Sequence, residues 1–466
     1  MGEISWLDYV LLPFYLLLIY KFAFFCRDRF YNDDHPYRKY FIPALTAKVA
    51  GAIFIGLVYF YYYDGGDTLN FFYHSQVINA TLPESPGTWL RLITHQADTS
   101  NMKDALALSD MYWYDDTASY TTSCLGAIIG IFCFTKYLVI NVIVASLSFT
   151  GMWLMFVTFA QKYPQLVKPV AIAILFIPGP IVWGSGLFKD SFCMFSIGSL
   201  MYCTTILFEK RSFKPWLVLL SILCVTLIVL IKAYILIALL PVIFLKTFID
   251  YTKRAISTPG NKAPYFITLS IGTMIGLFVL RKATVYLSVL SIQDVLETIK
   301  RQKDYLLQVS LATQGSAYDL GDFDPTLGSL LRKFWPAVNV TLFRPYIWES
   351  NNVLQLFDAL QSAAVLLLTL YVAFSKNIFK TLKLIFQDTN LLMCLLFTLL
   401  FAFFVGISTY NFGSLSRYKI PCTPFYVLLL MILLYQDKDA ALTKDHQLQE
   451  DSSKNATPGS NPQKVN

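Results

Sequence analysis

The chain is short of charge. Of its 466 residues only 14% are Asp, Glu, Lys or Arg, where a water-soluble domain carries about 25%. That shortage excludes an ordinary soluble enzyme, and nucleic acid is not an expected partner. Cysteine is sparse and scattered: eight residues with no Cys-x-x-Cys and no His/Cys ligand spacing, which excludes a disulfide scaffold and leaves zinc or redox chemistry without support. Cys26, Cys133, Cys193, Cys203, Cys224 and Cys394 lie in or beside apolar runs, where a thiol behaves as a small hydrophobe. Met1 to Trp6 holds Glu3 but no Lys or Arg, and no small-residue cleavage site follows. The first apolar run is therefore expected to stay as a span and not to be cleaved as a signal peptide. No internal repeat is evident, so an inverted-repeat transporter gains no support.

What is abundant is apolar: 56% hydrophobic and 16% aromatic residues, with a mean hydropathy of +0.52. The expected class is an all-α, polytopic transmembrane helical bundle with helical outer loops. About eleven runs reach the roughly 20 residues a span needs. They lie near Ser5 to Cys26, Phe41 to Tyr63, Tyr137 to Ala160, Pro169 to Gly186, Ser191 to Phe208, Pro215 to Ile231, Ala233 to Ile249, Phe266 to Leu280, Leu354 to Phe374, Leu391 to Ile407 and Ile420 to Tyr435. Asp8 and Lys48, each near a span end, are expected to snorkel to the interface.

Cytoplasmic loops collect Lys and Arg. Arg27, Arg29, Arg38 and Lys39, then Lys162 and Lys168, Lys210, Arg211 and Lys214, Lys246 to Lys262, and Lys376 to Lys383 fall on one side, which is read as cytoplasmic. The segment 64–122 opposes eight carboxylates to Arg91 and Lys103 alone; it reads as an outer loop with room for two short helices. Residues 281–352 read as a second outer loop. An integral membrane domain thus covers 1–435, with the N-terminus outside. The polar stretch 436–466 reads as a disordered cytoplasmic tail.

Three segments could carry chemistry. In Tyr61-Tyr62-Tyr63-Asp64-Gly65-Gly66-Asp67 two carboxylates flank two glycines where an aromatic span end meets water. Glycines permit a sharp turn, and partial desolvation would raise a carboxylate pKa toward that of a general base. A plain alternative is a solvated turn with Asp67 capping the next helix. The helix-breaking run Pro178-Gly179-Pro180 to Lys189-Asp190 is placed on the outer face, with Lys189 able to meet an anion; it also reads as a simple interhelical turn. Leu342-Phe343-Arg344-Pro345-Tyr346 and Ser416-Arg417-Tyr418-Lys419-Ile420-Pro421 set cations among aromatics. That suits phosphate beside a sugar ring or lipid headgroup, and equally suits interfacial anchoring. Lys232, alone between two apolar runs, has the same two readings. All these groups map to one face, which supplies carboxylates for deprotonating an acceptor and fixed cations for a departing phosphate.

In this respect the chain resembles the GT-C class of membrane glycosyltransferases. The likeness lies in the outer loop opening with Asp64-Gly-Gly-Asp67, the helix-rich loop after it, and Arg417-Tyr418-Lys419-Ile420-Pro421, which is similar to the Arg-Tyr-Arg-Leu-Pro pattern of that class. Two spans precede the acidic loop here, where the class usually has one. The resemblance implies transfer of a sugar from a polyprenyl-phosphate donor to a glycan or lipid-linked acceptor outside the cytoplasm. Asp67 or Asp64 would be the base, with a divalent cation at that pair as an open question. Arg344, Arg417, Lys419, Lys189 and Lys232 would hold the donor phosphate. A bacterial inner membrane is the implied home. A weaker similarity is to O-antigen and exopolysaccharide polymerases. A transporter or flippase is a third reading, set back by the crowding of acidic residues in one outer loop and not at mid-membrane.

Overall fold

The computed structural model describes residues 4–257, 318–321 and 326–435. The expected span near Phe266 to Leu280, much of the 281–352 segment and the 436–466 tail lie outside the described residues. Among the described residues the chain is helical throughout, and no β-strand forms.

Eight helices are long and apolar enough to cross a membrane. They are α1 (Trp6–Phe30) and α2 (Arg38–Tyr61), then, after four shorter helices, α7 (Tyr137–Lys162), α10 (Lys189–Thr204, running on as a π-turn to Glu209), α11 (Pro215–Lys232) and α12 (Tyr234–Ser257), and finally α15 (Val353–Ser375) and α17 (Thr389–Ser408). A ninth crossing is bent by 65° between α18 (Phe412–Tyr418) and α19 (Thr423–Tyr435). The sequence period explains which faces are buried. On α1, Trp6, Val10, Phe14, Leu17, Phe22 and Phe25 all stay exposed at three-to-five-residue spacing. An exposed apolar stripe of that length has no place in water and reads as a lipid-facing surface. The fold therefore defines an integral, multi-pass membrane protein.

At the centre stands α7, about 39 Å long at 1.5 Å per residue. It is buried along most of its length and packs against α1, α2 and α10. The α7–α10 crossing is made by glycines: a Cβ on Gly198 would collide with the Gly151 carbonyl, and one on Gly151 with the Phe195 backbone. Such close approach of backbones replaces the hydrophobic drive that lipid removes. Beyond α10 the bundle continues through α11, α12 and α17. The apolar helix α14 (Phe334–Phe343), within the segment expected as the second outer loop, lies along α17 with Gly406 against the Ala337 backbone.

The expected span Pro169 to Gly186 is not one helix. It breaks into α8 (Val167–Leu175) and α9 (Pro178–Val182), because Pro178 and Pro180 cannot donate backbone hydrogen bonds. The Pro178 to Asp190 run is consequently not confined to the outer face. Ile181 meets Gly51 halfway along α2. Lys48, expected to snorkel, is 3% exposed and turned inward. Its ammonium donates to Pro180 O at 2.8 Å, Gly184 O at 2.7 Å and Ser148 Oγ at 3.1 Å, so two of its three donors meet carbonyls at the helix break and the third a hydroxyl of α7. Asp8 does not snorkel either. Buried at the start of α1, it accepts from Ser5 N at 2.9 Å and from Leu138 N at 3.1 Å, capping the neighbouring α7.

The acidic 64–122 segment holds more structure than the two short helices expected. It contains α3 (Asp67–Ala80), α4 (Pro86–Ile93), α5 (Met102–Ser109) and the start of α6 (Thr117–Ile131). They close on their own apolar cluster of Ile78, Leu92, Ala107, Met111, Tyr120, Cys124 and Ala127. Asp104, fully buried, receives Arg91 Nε and Nη2 at 2.7 Å each, a bidentate pair that locks α4 to α5. At the other end of the bundle Lys162 bonds Glu209 at 2.8 Å and Asn390 at 2.7 Å, Lys246 joins Glu209 and Asp250, and Thr389 bonds Asp250 at 2.6 Å. That network ties together α7, α10, α12 and α17.

Candidate functional site

The site grows from the end of α2. Tyr59 and Tyr63 pack with their ring centres 5.4 Å apart and the rings tilted by 58°, and the chain then turns through Asp64 (φ 47°), Gly65 (φ 154°) and Gly66 (φ 105°). At Gly66 a Cβ would also lie 2.7 Å from the Tyr59 ring, so the position demands glycine on both counts. The turn ends at Gly66, and Asp67 is the first residue of α3, not its cap. Its carboxylate sits where the helix dipole favours negative charge.

Facing it is Arg417, in the last turn of α18, whose Nη1 lies 2.5 Å from Asp67 Oδ2. Asn411 starts that helix by accepting from Gly413 N at 2.8 Å and Ser414 N at 3.2 Å, which aims the Arg417 end at the Asp-Gly-Gly turn. Between them opens a cavity of about 410 Å³, lined by Tyr59, Tyr63, Asp67, Trp183, Ser414 and Arg417 together with glycines 65, 66 and 413 and Asn411. Trp183 is fixed from behind by its indole N–H, 2.9 Å from buried Asp358 of α15.

Electrostatics correct one expectation. Burial does oppose ionisation of Asp67 and is the largest single influence. It is outweighed by the charge and hydrogen bond of Arg417 with the charges of Lys189 and Lys232, so the carboxyl lies below the usual range and not above it. Tyr63, desolvated first and then flanked by other phenols, is pushed up to about 12. It stays a neutral phenol.

The seven residues singled out from sequence divide into three pairs and one residue alone. Asp67 and Arg417 meet at the cavity. Lys189 and Lys232 stand close by without lining it. Lys189 faces Asp116 at 3.6 Å and the Phe71 ring at 5.7 Å. Lys232 is sealed against Asp190 at 2.6 Å, over the Tyr418 ring at 4.3 Å. Arg344 and Lys419 form a separate cluster: Arg344 Nε bonds both Glu349 carboxylate oxygens at 3.0 Å, while Lys419 donates to Arg344 O at 3.0 Å and Ser362 Oγ at 2.7 Å. Asp64 is exposed beside the cavity and is not part of its lining.

Trp183, Tyr59 and Asp358 were not singled out by sequence reasoning. For Asp358 a signal existed, since a carboxylate inside an otherwise apolar span marks a functional or structural partner. Among the described residues no three His, Cys, Asp or Glu side chains come together as a metal site. With Arg417 on Asp67, a divalent cation at Asp64 and Asp67 would compete with a guanidinium already in place.

No protein-family model matches this chain, and neither a curated protein nor a solved structure is similar enough to count as a relative. The class of protein is accordingly defined by the fold alone: an integral, multi-pass, all-helical membrane protein with a polar, aromatic-walled cavity at the Asp67 end of its bundle.

Proposed function

We propose that the protein is a membrane glycosyltransferase that moves a sugar from a polyprenyl-phosphate-linked donor to an extracytoplasmic glycan or lipid-linked acceptor during cell-envelope assembly, in a bacterial inner membrane. One observation carries the reading: an ionised carboxylate and a guanidinium meet in a cavity walled by Tyr59, Tyr63 and Trp183 where the bundle reaches its polar end. Aromatic walls suit sugar rings, and Arg417 is the residue type for a bidentate phosphate contact.

In this scheme the donor phosphate binds Arg417 and draws it from Asp67. The freed carboxylate, no longer held by its partner, becomes more basic. It takes the proton of the acceptor hydroxyl as that oxygen bonds the anomeric carbon, and the carbon–oxygen bond to phosphate breaks with its charge on Arg417. Lys189 and Lys232 support the site's positive field. Arg344 and Lys419 keep α18 in position through Glu349 and Ser362.

The test is sugar transfer by the purified protein in liposomes. Asp67→Asn is expected to lower the rate on the order of a hundredfold or more. Arg417→Ala should cost about 2–4 kcal/mol of transition-state stabilisation, and Arg417→Lys should restore only part of it. A chelator arm reports any divalent cation at Asp64 and Asp67. Turnover of a polyprenyl-diphosphate oligosaccharide into longer chains, with no use of a single-sugar monophosphate donor, would move the reading to the polymerase class. Full activity in folded Asp67→Asn and Arg417→Ala variants would leave the pair as a structural tie between α3 and α18.

A further inference from the structure

A second, larger cavity opens at the opposite end of the bundle, far from Asp67 and with no part in the scheme above. It measures about 700 Å³ and lies between α1, α2, α7 and the turn from α10 to α11, with Phe22, Phe30, Phe41, Trp153, Tyr202 and Trp216 among its walls. Its lining is mostly apolar, and it is open to the lipid side, since Phe22, Phe30 and Trp216 are all more than half exposed. A membrane-facing slot of this size and character fits hydrocarbon chain.

The rim is not apolar, and its charge is one-sided. Lys210 reaches the wall residue Gln161 at 2.8 Å. Arg211 and Lys214 follow in the exposed turn that leads to Trp216. Among the described residues no carboxylate lies within ion-pair distance of Lys210, Arg211, Lys214 or Arg29. The nearby acids are mostly committed: Asp28 to Arg27 and Arg38, Asp33 to Arg38, and Glu209 to Lys162 and Lys246. Among the described carboxylates of the turn after α1, Asp34 alone is outside these ion pairs. Cations at the end of an apolar slot, at the depth where spans meet water, match a lipid carrying a negative headgroup. A second copy of the chain would bring the same basic rim to face this one and be repelled.

We propose that this cavity is a binding site for an anionic glycerophospholipid, an acyl chain lying among Phe22, Phe41 and Trp153 and the phosphate resting on Lys210, Arg211 and Lys214.

The experiment uses the full chain in detergent and reads quenching of tryptophan fluorescence by phosphatidylglycerol or phosphatidylcholine with brominated acyl chains. A Trp153→Phe/Trp216→Phe variant supplies the background of the remaining tryptophans. Brominated phosphatidylglycerol is expected to quench the two cavity tryptophans at about a tenfold lower concentration than brominated phosphatidylcholine. That preference should vanish in a Lys210→Gln/Arg211→Gln/Lys214→Gln variant whose helical content matches the wild type. Equal quenching by both lipids, or a preference untouched by the triple substitution, would overturn the proposal. So would displacement of the quencher by polyprenyl phosphate but not by unbrominated phosphatidylglycerol. Loss of sugar transfer with lipid preference intact would bear only on the Asp67 cavity.

Discussion

At the scale of single residues the protein keeps several ionisable groups where water does not reach, and each is explained by what faces it. Asp104 has Arg91, Lys232 has Asp190 and a tyrosine ring, and Lys48 has three oxygens. His74 of α3 is the contrast. It is fully buried beside the rings of Tyr73, Tyr112 and Trp113, with neither ring nitrogen bonded to another described residue. Burial alone lowers its pKa to about 4, below the roughly 6.5 of an unfolded histidine. As pH falls through 6.5 the unfolded chain takes up a proton that the folded one refuses, so stability drains away until about pH 4, by on the order of 3 kcal/mol in all. Thermal melts of the detergent-purified protein between pH 7 and 4 are expected to show this fall, and His74→Phe should flatten it. An unchanged slope in that variant would mean that another group titrates.

At the scale of elements, proline and glycine placement decides more than hydrophobicity does. The apolar content of residues 169–186 suffices for a span, yet Pro178 and Pro180 split it, and the free carbonyls of the break are taken up by Lys48 from another helix. The breakers are legible in the sequence; the depth of the break is not, because it depends on Gly51 letting Ile181 approach. The α7–α10 crossing rests on the same device. Gly198→Ala forces these helices apart and is expected to cost about 1–3 kcal/mol, read as a lower melting temperature. Gly328→Ala, in the short helix Leu327–Arg332 with nothing within 4 Å of the new methyl, should leave the melting temperature unchanged or slightly raised.

At the scale of the whole molecule the two ends differ in kind. One end carries the self-contained, acidic assembly of α3 to α6 and the Asp67 cavity; the other carries a basic rim and the Lys162–Glu209–Lys246–Asp250 network. Basic loops stay in the cytoplasm, so the Asp67 end is expected to face outward. With the eight native cysteines replaced, a thiol introduced at Ser100 should react with an impermeant reagent in intact cells, and one at Ser212 should react only after permeabilisation. The reverse pattern would invert the orientation and place the acceptor in the cytoplasm.

Class and most crossings were already written along the chain, because apolar run length and loop charge are local quantities that a bilayer reads one segment at a time. Nine of the eleven expected runs are long helices or a bent pair, and Asp67 and Arg417 each stood out beside their own glycines and aromatics. Their union did not. They are 350 residues apart, and only the packing of α18 on α15 and α17, with Asn411 setting its direction, turns two separate polar ends into one cavity. The same packing joined Lys419 to Arg344 O and Ser362 and buried Lys232 against Asp190. Which cation meets a carboxylate and which meets open space depends on helix rotation about its axis, and that rotation is decided by contacts between helices, not by any one of them.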